Sequence, residues 1–290
     1  MTALSGFRAY GLNIASEFDI PGGIRAEVSS FNADIVIRKG AASIGEVQAT
    51  SGPYSRNGKA MLFDAAGVAS YFAPSSRKLF IEPYRDADPR HVCELLIATA
   101  LPMLLWMRGG IVLHAAGIVP AGMDGAIAIA GPSGIGKSTL AVGLMQAGGR
   151  LVGDDSLWLT LRNGNANVSG LSEALFQSNE PNYPRARISI PLESQVEEVN
   201  LCAIITLRIN DSEPPAAPRM LQGPDAIEAL LRVRHRPKIP AMLGLEAALL
   251  PQCILHCRTL PIYEAHSRYG DVAGSQQQIA SMIFDHCRSA

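Results

Sequence analysis

The sequence predicts an α/β fold with a small β-rich N-terminal region, and three observations carry that expectation. Ala126–Ala130 is a short apolar run bounded by Gly125 and Gly131, the mark of a buried strand. A glycine-rich segment, 131–138, follows at once, and 139–147 then repeats apolar residues at helical spacing until Gly148-Gly149 stops it. Residues 1–85 instead break into short strand-like pieces separated by Gly, Ser, Asn and Pro turns.

Taken in order, the pieces 10–14, 35–37, 61–64, 68–72 and 78–82 read as strands. The next stretch, 89–107, sets Cys93, Leu96, Ile97, Leu101, Leu104 and Leu105 at helical spacing, which predicts a buried helix kinked or ended near Pro102. The domain boundary is therefore placed after residue 88: a β-rich region over 1–88, and the region holding the glycine loop over 89–290. Leu151-Val152 predicts a short strand and 201–209 a longer one. Residues 211–218 form a polar, proline-rich loop, and 224–232 reads as a helix with proline acceptable in its first turn. A last strand is expected at 260–264 and a closing helix at 276–287. No internal repeat is visible.

Gly131-Pro132-Ser133-Gly134-Ile135-Gly136-Lys137-Ser138 matches GxxxxGK[ST] at every fixed position, in the strand–loop–helix context that gives the pattern its meaning. Glycines let backbone N–H groups converge on an anion, and a helix N-terminus adds partial positive charge. Lys137 can then reach the β- and γ-phosphates of a nucleotide, and the Ser138 hydroxyl can ligate Mg²⁺. One helix later, Gly153-Asp154-Asp155 sets two adjacent carboxylates at the C-terminal end of a predicted strand, the edge of an α/β sheet where ligands bind. Such a pair can divide labour, one member holding Mg²⁺ while the other accepts a proton from an attacking hydroxyl. Gly-Asp-Asp-Ser is also good turn chemistry.

Two basic groups stand out: Arg185 with Arg187 after a Tyr-Pro turn, and Arg232, Arg234, His235, Arg236 and Lys238 after the helix 224–232. Loop arginines can clamp a phosphoryl group or a carboxylate, and they can equally form a solvated surface; Arg236 and Arg187 are the candidates for phosphate contact.

The composition is 48% hydrophobic and 18% charged, with a net charge of −1, so it suits a well-buried globular protein and supplies no global field for nucleic acid or acidic membranes. Five scattered cysteines without a secretory signal point to reduced thiols and a cytoplasmic protein. Cys253, His256 and Cys257 lack a second pair at zinc-site spacing and are expected to be core residues. The longest apolar run, 95–107, is shorter than the roughly 20 residues of a membrane span.

The segment 131–138, its helix and Val152-Gly153-Asp154-Asp155 together resemble the C-terminal catalytic domain of HPr kinase/phosphorylase, whose nucleotide core is shared with phosphoenolpyruvate carboxykinase. Val112-Leu113-His114-Ala115-Ala116-Gly117 extends the resemblance upstream, where the family carries a His shortly before the strand leading into the loop. The likeness is clear over about residues 110–160 and fainter toward Leu260-Pro261-Ile262-Tyr263-Glu264. Tyr10-Gly11-Leu12-Asn13-Ile14-Ala15-Ser16-Glu17 is similar to the opening of stand-alone HPr-kinase-like proteins, some of which phosphorylate a serine of a lasso precursor peptide. The family's Gly-rich segment after the aspartates has no counterpart in the stretch 180–187, so the reverse, dephosphorylating reaction is not implied.

The resemblance implies an ATP- and Mg²⁺-dependent serine kinase acting on a peptide or protein. Residues 131–138 with Thr139 would hold the nucleotide, and Ser138 and Asp155 the metal; Asp154 would be the base, with Lys137 and His114 beside it. Arg187 for the nucleotide and Arg236 for the transferring group are added from the basic groups, apart from the resemblance. His114 is open to a second reading, as a buried histidine packed on a strand. No nucleic acid and no membrane span is expected, and association with copies of itself is left open. Two alternatives stand: an NTPase or nucleotide-binding regulator using Asp211 beyond the strand 201–209 as its Mg²⁺ carboxylate, and a small-molecule kinase.

Overall fold

The computed structural model describes residues 4–177, 186–209 and 218–267. Arg185, Asp211, most of the loop 211–218 and the expected helix 276–287 lie outside them.

The fold is mixed α/β, with two nine-stranded sheets and a two-stranded ribbon among the described residues. The first sheet is N-terminal: β1 Ser5–Ala9, β2 Leu12–Ser16, β3 Ile24–Arg25, β4 Ile35–Lys39, β5 Ala49–Ser51, β6 Tyr54–Asn57, β7 Ala60–Ala65, β8 Ala69–Ser75 and β9 Lys78–Pro83, in the order β3-β1-β2-β4-β9-β8-β7-β6-β5. Alternation marks β4, β7, β8 and β9: Ile35 and Ile37 are buried while Val36 and Arg38 are partly exposed, and Met61, Phe63, Tyr71, Ala73, Leu79 and Ile81 repeat the pattern. The expected strand 10–14 is shifted. Ala9 pairs with Leu12, so Tyr10-Gly11 is a two-residue turn with φ +54 and +66, and the strand begins at Leu12.

The expected buried helix is present as α1 Pro89–Leu95, a π-turn at Leu96–Ala100 and α2 Leu101–Arg108. Pro102 does not end it. A proline has no N–H to offer the carbonyl four residues back, that of Ala98, and the helix widens at that point and runs on. By length and composition Pro89–Arg108 is apolar enough to cross a membrane, yet 101–106 are wholly buried inside this fold, beneath the first sheet. Tyr71 of that sheet donates its hydroxyl to the Val92 carbonyl at 2.8 Å.

The second sheet holds β10 Ile111–Leu113, β11 Ala115–Val119, β12 Ala126–Ala130, β13 Arg150–Gly153, β14 Leu157–Arg162, β15 Asn165–Ser169, β18 Glu198–Ile209, β19 Arg219–Leu221 and β20 Ile262–Ser267; β16 Ala174–Gln177 and β17 Ala186–Ser189 form the ribbon. β12 lies between antiparallel β11 and parallel β18, which in turn pairs in parallel with β20. Helix α3, Lys137–Gln146, covers one face, where Leu140 packs with Ile127, Ile129, Ala203 and Ile205. Each such buried Leu or Ile contributes roughly 1.5–3 kcal/mol. The other face joins a cluster running from Phe7 and Ile14 through Leu96 and Leu104 to Ile204 and Ile262, so both sheets share one hydrophobic core.

Helices α4 Gly223–Arg232, α5 Lys238–Met242 and α6 Glu246–Thr259 complete the described chain. Cys253 and His256 are buried on α6, and among the described residues no group of three metal-ligating side chains forms there.

Candidate active site

Three turns meet at one edge of the second sheet. β11 is antiparallel to both β12 and β13, so those two strands end on the same side, and β11 begins there. The glycine loop leaves β12, Asp154-Asp155 leaves β13, and His114 enters β11. A cleft of about 1050 Å³ opens over them, lined also by Leu95 and Ala98 of the helix 89–108 and by 232–237.

Gly134 and Gly136 adopt φ +82 and +99, which side chains resist, and Ile135 between them drops into the apolar layer below. The tip 132–134 is thereby held out toward the cleft. Lys137, the first residue of α3, is buried; its ammonium donates to the Gly131 and Pro132 carbonyls at 2.9 and 3.0 Å and lies 3.1 Å from His114 Nε2. Because an ammonium only donates, Nε2 accepts, and the imidazole proton sits on Nδ1, which donates to the Asp155 carbonyl at 3.0 Å. His114 is thus a bridge between Lys137 and the carboxylate turn, in place of a histidine merely packed on a strand.

The two carboxylates diverge. Asp155 has φ +72, and this left-handed residue turns the pair toward different neighbours. Ser138 Oγ donates to Asp154 Oδ1 at 3.0 Å, whereas Asp155 Oδ1 lies 3.7 Å from His114 Nδ1. Asp154 is 4% exposed, and the Asp155 side chain 22%. Ser138 and Asp154 present hard oxygens side by side, the donor chemistry that suits Mg²⁺.

The segment after α4 is laid along β10: His114 N donates to Val233 O and His235 N to Val112 O, both at 2.7 Å. Trp106 Nε1 donates to the His235 carbonyl at 3.0 Å. The Ala98 carbonyl that Pro102 cannot use receives His235 Nε2–H at 3.0 Å and Arg236 Nε–H at 3.4 Å. Burial pushes the His235 pKa down to about 4, so the ring is neutral near pH 7. One donor atom from each of His114, Asp155 and His235 lies within 4.8 Å of the others. The Lys137 ammonium beside His114 and the hydrogen bonds at both His114 nitrogens disfavour a cation among them.

The arrangement brings Gly131, Pro132, Ser133, Lys137, Ser138, His114, Asp154, Asp155 and Arg236 to one place, with Gly134, Ile135, Gly136 and Thr139 in the loop and first helical turn. Arg187 is not brought to this cleft. It stands on β17 and pairs with Glu173 at 3.0 Å, lining a separate hollow with Asp19 and Arg25. The strand register of the ribbon, Phe176 opposite Arg187, carries it there. In the second basic group Arg232 pairs with Glu228 and Glu264, and Arg234 with Glu246. Among the described residues Arg236 makes no ion pair, and it carries φ +50. Sequence reasoning named His235 only within the second basic group and Tyr10 only in the opening segment, neither as a site candidate; the proline inside an apolar helix was the one available hint that a carbonyl needed an outside donor.

No protein-family model and no curated protein matches the chain. Among solved structures it is similar to the Hpr(Ser) kinase/phosphatase from Coxiella burnetii, at 16% identity over 60% of this chain and 96% of that one, with a TM-score of 0.39. The chemistry of the site therefore stands on its own geometry.

Proposed function

We propose that the protein is an ATP-dependent kinase that transfers the γ-phosphoryl group to a serine hydroxyl of a peptide or protein, with the precursor of a ribosomally made lasso peptide as the acceptor class. The observation that carries the reading is the Ser138–Asp154 hydrogen bond with Asp155 turned away beside His114. It separates a metal-holding carboxylate from one open to an acceptor.

The geometry favours exchanging the roles that the resemblance implied. Asp154, buried against Ser138, would hold Mg²⁺ with it, and when bound the ion would neutralise charge on the phosphates. Asp155, the more exposed carboxylate, would accept the serine proton as the serine oxygen takes the phosphoryl group and ADP leaves. Lys137 and the N–H groups of 131–138 would hold the phosphates, and Arg236 would face the transferring group from across the cleft. His114 Nδ1–H on the Asp155 carbonyl orients that residue.

Radiolabel transfer from ATP to serine-containing precursor peptides tests this. Asp155→Asn should lower transfer by about 10²–10⁴-fold with ATP affinity nearly unchanged, and Asp154→Asn should raise the Mg²⁺ requirement. Full transfer by both variants, with Mg²⁺-dependent ATP hydrolysis destroyed by Asp211→Asn, would replace the kinase with an NTPase.

A further inference from the structure

A two-residue hairpin turn with positive φ at both centres is the place for Asn, Asp or Gly, because a larger L side chain is strained there. Between β1 and β2 that first position holds Tyr10, at φ +54. Loop tips are also ordinarily exposed, whereas Tyr10 is 1% exposed. A strained residue persists where its surroundings over-determine it, and such residues gather at functional sites.

The surroundings of Tyr10 are the carboxylate turn. Its hydroxyl lies 2.7 Å from Ser156 Oγ, itself buried and next in sequence to Asp155. Its amide donates to the Gly170 carbonyl at 2.9 Å. Gly170 in turn presses on the other end of the turn: a Cβ on Gly153 would stand 2.8 Å from Gly170 Cα and 2.9 Å from Leu171 N. The hairpin tip thus holds Ser156 directly and Gly153 through Gly170, with Asp154 and Asp155 between.

We propose that Tyr10 is a positioning residue, and that the N-terminal sheet completes the active site by fixing the left-handed turn that sends Asp154 to Ser138 and Asp155 to His114. The inference rests on the reading of that turn as the catalytic and metal-holding pair. Tyr10 touches neither nucleotide nor acceptor; it acts through Ser156 and the backbone of 153–156.

Tyr10→Phe keeps the ring, the packing and the backbone strain and removes the hydroxyl alone. Amide exchange at Asp155 and Ser156 should quicken by about tenfold while β11 and β12 stay protected. With radiolabelled ATP and a serine-containing peptide, kcat should fall about tenfold and the KM for ATP stay within about twofold. Ser156→Ala should do the same, and the double variant no more, since both remove one bond. Unchanged exchange at 155–156 in both single variants, or additive losses in the double variant, would overturn the proposal. Should wild-type protein transfer phosphoryl to no peptide, the kinase reading falls, and the exchange measurement alone decides the positioning.

Discussion

At the residue scale the site is a set of fixed proton and charge positions. Lys137 is buried, with its ammonium bonded to two carbonyls of its own loop and beside His114, so its removal takes away the charge held within the loop and leaves the apolar layer beneath intact. Lys137→Ala should therefore abolish phosphoryl transfer and weaken ATP binding sharply while the far-UV spectrum stays native; wild-type binding by the variant would refute the loop's role. His235 and His256 predict a pH effect. Burial lowers both from an ordinary 6.5 to about 4, so between those values the unfolded chain binds protons that the folded chain refuses. Stability is then full above about pH 6.5 and falls as pH drops toward 4, by up to about 1.4 kcal/mol per pH unit for each histidine. Urea unfolding across that range checks it, and His256→Leu should remove its share of the slope.

At the scale of elements, the helix 89–108 illustrates how a local defect becomes a tertiary contact. Pro102 leaves the Ala98 carbonyl without its helical donor, and His235 and Arg236, on a segment strapped to β10, supply the donors from outside. Removing an interior helix proline ordinarily recovers about 3 kcal/mol. Pro102→Ala should recover clearly less, because the restored N–H competes with the buried His235 N–H for one oxygen. Combining it with His235→Ala should restore the missing part, and urea unfolding of the single and double variants measures the coupling.

At the scale of the molecule, the β-rich region and the glycine-loop region are two sheets on one core. Phe7, Ile14 and Met61 share a cluster with Leu96, Leu104 and Ile204. The full chain should accordingly unfold in a single transition by near-UV and far-UV circular dichroism, and residues 89–290 alone should lose their near-UV signal. Two separated transitions would show instead that the regions fold independently.

The sequence by itself determined the strand Ala126–Ala130, the glycine loop, the helix behind it and the carboxylate pair, because each is encoded by neighbours: apolar spacing, glycines where φ must be positive, a strand end. It also marked five strands of the first sheet as short pieces between turn residues, while missing β1, β3, β5 and β6, which are short and half-exposed, and the Asn163-Gly164 hairpin between β14 and β15, which the turn residues alone could have revealed. Only the tertiary structure decided which carboxylate faces Ser138, which nitrogen of His114 carries the proton, that His235 lines the cleft, that Tyr10 bonds Ser156 beside the carboxylate turn, and that Arg187 pairs with Glu173 elsewhere. Those contacts join residues as far apart as the 146 positions between Tyr10 and Ser156, and they are single hydrogen bonds and an ion pair, set by strand register and by a proline's missing donor. Such bonds leave no periodic trace in a chain, because a single donor and a single acceptor repeat nothing.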